Sequence, residues 1–69
     1  MMYRLIYLDN NSEYKTFDSE DYNIIADNHL KIKRGGNKII CLVDFYYNVI
    51  LNKCRDYSAH TERINDYTF

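Results

Sequence analysis

At 69 residues and a formal net charge of −1, the chain makes one domain at most, and one that buries only about 60% of the surface its unfolded form exposes. Near-neutrality excludes bulk nucleic-acid packaging and whole-surface DNA mimicry, both of which need a dominant charge of one sign. Only Cys41 and Cys54 are present, too few for the disulfide framework of a small secreted domain, so a reduced, cytoplasmic setting is expected.

No secretory leader and no run of about 18 apolar residues is found, so neither export nor a membrane span is expected. Proline is absent and glycine is confined to Gly35-Gly36, which leaves no linker. Chains of this size often supplement a thin core with a partner subunit, which makes a homodimer an expectation in its own right.

Two runs, YRLIYL and EYKTF, flank Asn10-Asn11, a pair suited to positive φ. They predict a hairpin with Tyr7 opposite Tyr14. The next stretch, FDSEDYNIIADN, supports two readings. Asp18 as N-cap, Asp21 three residues on, Phe17 placed to staple against Tyr22, and Asn28 beyond the end describe a short helix over 19–27; a turn at Asp27-Asn28 describes a strand instead.

Gly35-Gly36 in KIKRGGNK predicts a tight hairpin turn, which sets Lys33 opposite Lys38, Ile32 opposite Ile39 and Leu30 opposite Cys41. From Ile39 to Leu51 every odd position is apolar, the period of a strand. Unbroken, that strand would span about 43 Å. A bend near Asp44 is therefore expected, with strands at about 38–43 and 46–53. The polar tail, with isolated Ile64, Tyr67 and Phe69, predicts either a short helix capped near Ser58 or an arm that orders on a partner.

Together these elements predict a mainly β fold, a five-stranded antiparallel meander closing into a small SH3-like barrel, with a variant in which 19–27 is helical. The domain covers 1–54 and the tail 55–69. Leu30, Ile32, Ile39, Cys41 and Val43 are the expected core, joined by Phe45, Tyr47, Val49 and Leu51.

The opposite face of that hairpin mixes His29, Lys31, Lys33 and Lys38 with Ile40 and Leu42. Apolar groups rimmed by cations suggest a contact surface. Tyr22, Ile24, His29, Lys31, Lys33, Ile40, Leu42 and Tyr46 are the expected partner-binding residues. Lys31, Lys33, Arg34 and Lys38 are the candidates for contacting nucleic acid, with Tyr46 and Tyr47 as stacking groups.

Spacings among His29, Cys41, Cys54 and His60 match no metal-ligand pattern, and neither a nucleophile motif nor a phosphate-cradling glycine loop is present. No metal, cofactor or small-molecule substrate is expected. The chain reads as a non-enzymatic protein-binding module, of a kind that would inhibit or modulate a larger enzyme; its Asn, Ile, Tyr and Lys usage suits a phage or mobile-element product. A nucleic-acid-binding barrel using residues 31–38, and a homo-oligomeric structural subunit, are the alternatives.

Overall fold

The computed structural model describes all residues, 1–69. Strands β1 (Tyr3–Leu8), β2 (Tyr14–Ser19), β3 (Lys38–Asp44) and β4 (Val49–Asn52) form one open sheet in the order β2-β1-β3-β4. Helices α1 (Tyr22–Arg34) and α2 (Tyr57–Asn65) complete the chain. This α+β architecture, with two free sheet edges, replaces the expected five-stranded barrel. The strand expected before Gly35 does not form, because residues 28–34 belong to α1.

Both β2 and β3 pair antiparallel with β1. They therefore run parallel with β1 between them, and parallel strands need a crossover, which α1 supplies. Consecutive residues of a strand point to opposite faces. Leu5 and Ile6 are both fully buried, so the sheet is covered on both sides. Leu5 packs with Ile39 and Leu42 under Ile25 of α1; Ile6 packs with Cys41 and Val43 under Ile64 of α2. Burial among these groups pushes the Cys41 thiol up to about 11, so it stays protonated and acts as a small apolar filler.

Helix α1 is the longer element, and its boundaries follow from capping chemistry. The Asp21 carboxylate accepts the Asn23 N–H at 2.8 Å, Ile25 and Ile32 sit seven residues apart on the sheet side, and Lys31, Lys33 and Arg34 occupy the last turn. Cations there complement the carbonyl end of the helix dipole. The N–H of Gly35 donates to the Ile32 carbonyl at 3.2 Å and that of Gly36 to the Lys33 carbonyl at 3.1 Å. Gly36 takes φ 88°. The glycine pair thus ends a helix instead of turning a hairpin.

At the N-terminal hairpin the loop runs from Asp9 to Glu13. The Asp9 carboxylate accepts the N–H groups of Asn11 at 2.8 Å and Glu13 at 2.9 Å, and positive φ falls at Ser12, not at Asn10-Asn11. The pairing is Tyr7 with Lys15 and Leu8 with Tyr14, one residue away from the expected register. A slip of one exchanges the two faces. Tyr14 consequently lies on the α2 side, where its hydroxyl shares a hydrogen bond with His60 Nδ1 and its ring stacks on Tyr67.

A second irregularity lies in β3. Cys41 faces Ile6 while Ile39 faces Tyr7, which leaves Ile40 as the extra residue of a bulge. Ile39 and Leu42 therefore share the α1 face although they are three apart. Ile40 enters the α2 cluster.

The segment 55–69 is tied to the sheet. Arg4 forms a two-point ion pair with Asp18 at 2.8 and 2.7 Å, donates to the Tyr67 carbonyl at 2.7 Å and lies 4.0 Å over the Phe69 ring. Asp18 holds the Arg4 guanidinium above its usual range. Helix α2 starts at Asp56, which makes no side-chain cap bond.

Candidate functional site

The polypeptide between β3 and β4 is shaped by one carboxylate. Asp44 is buried, and it accepts the N–H groups of Tyr46 at 2.9 Å and Asn48 at 3.0 Å together with the Asn48 amide at 3.2 Å. Burial alone would push its pKa up, but those donors hold it below the usual carboxylate range. Tyr47 adopts φ 66°, an uncommon conformation for a bulky side chain.

The consequence is an outward-facing aromatic turn. Tyr46 is 71% exposed, and Phe45, Tyr47, Val49 and Ile50 are exposed beside it. Phe45 meets the Tyr46 ring edge-on at 5.7 Å and the Phe69 ring at 5.8 Å. Val49 and Ile50 continue the surface along β4, a free edge of the sheet; Ile50 is the extra residue of a bulge, since Leu51 faces Leu42 and Val49 faces Val43.

A second feature is a cleft of about 330 Å³ between the C-terminal half of α1 and the β3–β4 side of the sheet, lined by His29, Lys33, Gly36, Asn37, Lys38, Ile39 and Lys53. His29 Nε2 is buried there without a hydrogen-bond partner. Burial, with Lys53 and Lys33 nearby, holds the imidazole below its ordinary value of 6.5. The cleft walls are fixed: the Asn37 amide donates to the Ile32 carbonyl at 2.8 Å, and the Lys53 N–H donates to the carbonyl of the bulge residue Ile40 at 3.2 Å.

These features redistribute the residues singled out from sequence. Ile40 and Leu42 are 0% and 1% exposed. They belong to the two cores and form no contact surface. Tyr22 and Ile24 are exposed on the first turn of α1, Tyr22 edge-on to Tyr3 at 5.6 Å. His29, Lys31, Lys33 and Arg34 follow on the same helix and Lys38 begins β3, so the expected basic hairpin does not exist. Of those cations only Lys33 and Lys38 line the cleft. Of the expected partner-binding residues only Tyr46 reaches the aromatic turn, with Tyr47, the other expected stacking group, beside it.

Phe45, Tyr47 and Val49 were expected in the core, and the structure exposes all three. Leu30 is likewise exposed. Sequence reasoning also missed Lys53 as a cleft residue and Phe69 as a neighbour of Phe45. The signal for the turn was present in DFYYN: an Asp followed by three positions and then Asn offers the side-chain-to-backbone bonds that stop a strand.

No group of His, Cys, Asp and Glu side chains converges on a point where a metal could sit, and no helix is long and apolar enough to cross a membrane. Comparison with protein-family models, curated proteins and solved structures finds no match for this chain.

Proposed function

We propose that the protein is a non-enzymatic binding module that docks on another protein through the aromatic turn and the adjoining β4 edge. The observation that carries this reading is the Asp44-centred turn, which spends a buried carboxylate and a positive φ at Tyr47 on holding Phe45, Tyr46 and Tyr47 in solvent. Aromatic side chains exposed on a hydrogen-bonded support bring large contact area with few rotatable bonds. Such residues dominate binding energy where they become buried. Exposed apolar positions that continue as far as Ile50 extend this anchor into a surface.

The test places a photo-crosslinking benzophenone side chain at position 46, and separately at Asn23 as an exposed control. A protein captured only from position 46, and lost when Ile50→Ser is added, supports the reading. Capture of a second copy of the chain identifies a homo-oligomer and overturns docking on a different protein. Equal yields from positions 46 and 23 also overturn it.

A further inference from the structure

The cleft beside α1 carries an inference independent of the aromatic turn. Three lysines line it, Lys33, Lys38 and Lys53, and no acidic side chain does. None of the three is in an ion pair; the protein's two are Arg4 with Asp18 and Lys15 with Asp9. Cations in the last turn of a helix are ordinarily explained by its dipole. That explanation covers Lys31, Lys33 and Arg34 but not Lys38 and Lys53, which arrive from the start of β3 and the end of β4.

A second observation points the same way. His29 lines this cleft and its Nε2 is buried with no partner, so the imidazole is a polar group that nothing else in the protein compensates. The wall opposite is fixed by the backbone bond from Lys53 to the Ile40 bulge. The basin is therefore built before any ligand arrives.

We propose that this cleft binds a small phosphate-class polyanion, with Lys33, Lys38 and Lys53 as counter-charges and the His29 imidazole in the wall, where a nearby anion would favour its protonated form. A lone carboxylate would leave most of the positive charge unmatched, so a ligand with several negative charges fits better. A volume of about 330 Å³ accommodates a diphosphate or the phosphate end of a nucleotide. It is concave and local, and Lys31 and Arg34 lie outside its lining. A nucleic-acid strand would instead need a basic track.

Inorganic pyrophosphate is the probe, followed by NMR of the imidazole and amide resonances of the full chain at low salt. The expected result is saturable shifting of His29 together with Gly36 and Asn37, and a rise in the His29 pKa on saturation. Lys33→Gln and Lys53→Gln should each weaken binding by about tenfold, and Lys31→Gln or Arg34→Gln by about twofold or less. Tyr46→Ala should leave binding unchanged, which separates this site from the aromatic turn.

An absence of shifts at millimolar pyrophosphate overturns the proposal. Equal losses from Lys31→Gln and Lys53→Gln overturn it too, since they describe diffuse attraction. In a parallel arm with a short oligothymidylate, tighter binding than pyrophosphate that depends on Lys31 and Arg34 replaces the small ligand with a nucleic acid.

Discussion

The two helical layers cover the same sheet by different means. Under α1 the contact is apolar and local to the helix: Ile25 and Ile32 meet Leu5, Ile39, Leu42 and Phe17, and the helix carries its own N-cap and glycine stop. Each helix buries one residue, Ile25 in α1 and Ile64 in α2, but α2, over Ile6, Ile40, Cys41, Val43 and Cys54, is fastened in addition by Arg4, Tyr14 and the rings of Tyr67 and Phe69. Apolar area scales with stability, whereas exposed polar and cation–ring contacts contribute little each. The expectation that follows is that α1 opens only with the core, whereas α2, held in part by such contacts, opens separately.

The largest expected effect is Ile25→Ala, which removes the residue joining α1 to the sheet and should cost about 3 to 4 kcal/mol in denaturant unfolding. Amide protection should fall throughout the chain. Ile64→Ala should cost about 2 to 3 kcal/mol, with the loss of hydrogen-exchange protection concentrated in 57–65. If it lowers protection in β1 and β3 as much as Ile25→Ala does, the two layers are one unit and the contrast fails.

Smaller effects sharpen it. Asp21→Ala removes a cap that accepts a 2.8 Å bond and should cost about 1 kcal/mol. Asp56→Ala removes a residue with no such bond and should change stability by only about 0.3 kcal/mol. The smallest effect is a pH slope. The groups facing His29 are Lys33 on α1, Lys38 on β3 and Lys53 after β4, and its folded pKa lies below 6.5. The unfolded chain therefore takes up the proton first as pH falls through 6.5, and stability declines from there until the folded pKa is passed. His29→Gln should flatten that segment of the curve, while the fall driven by the depressed carboxyls of Asp9 and Asp44 below 3.8 remains.

Much of the sheet was legible in the sequence because period two is a strong signal where side chains face a core. YRLIYL and the run from Lys38 to Asp44 follow from it, and the break at Asp44 from the length one straight strand would need. Helix α1 was harder, since Leu30 to Lys33 alternates apolar and basic residues and so satisfies the strand period over a short window. The longer spacing from Ile25 to Ile32, with Asp21 before it and Lys-Arg-Gly-Gly after it, carried the helix. Gly-Gly serves a hairpin and a helix end equally well, so the pair could not decide by itself.

The site was less legible than the fold. Lys53 lies fifteen positions beyond Lys38, and only the β3–β4 connection brings both to the cleft. Odd-position apolarity through Tyr47 and Val49 suggested burial because the alternation continues across a turn that the Asp44 side chain imposes. Helix α2 depends on Arg4 and Tyr14, more than forty positions away, and no local pattern could announce them.

The extra residue at Ile40 makes the strand a splice between two reading frames of in and out. Ahead of it Ile39 sits beneath α1; beyond it the alternation restarts with Cys41 turned to α2 and Leu42 to α1. A one-codon deletion there would remove the bulge and leave Ile39, Cys41, Leu42 and Val43 in plain alternation on the faces they already occupy, while the α2 core lost the Ile40 side chain. It would also withdraw the carbonyl to which Lys53 is fastened. Composition would barely register the change, while one core would lose a buried side chain and the cleft its anchor together.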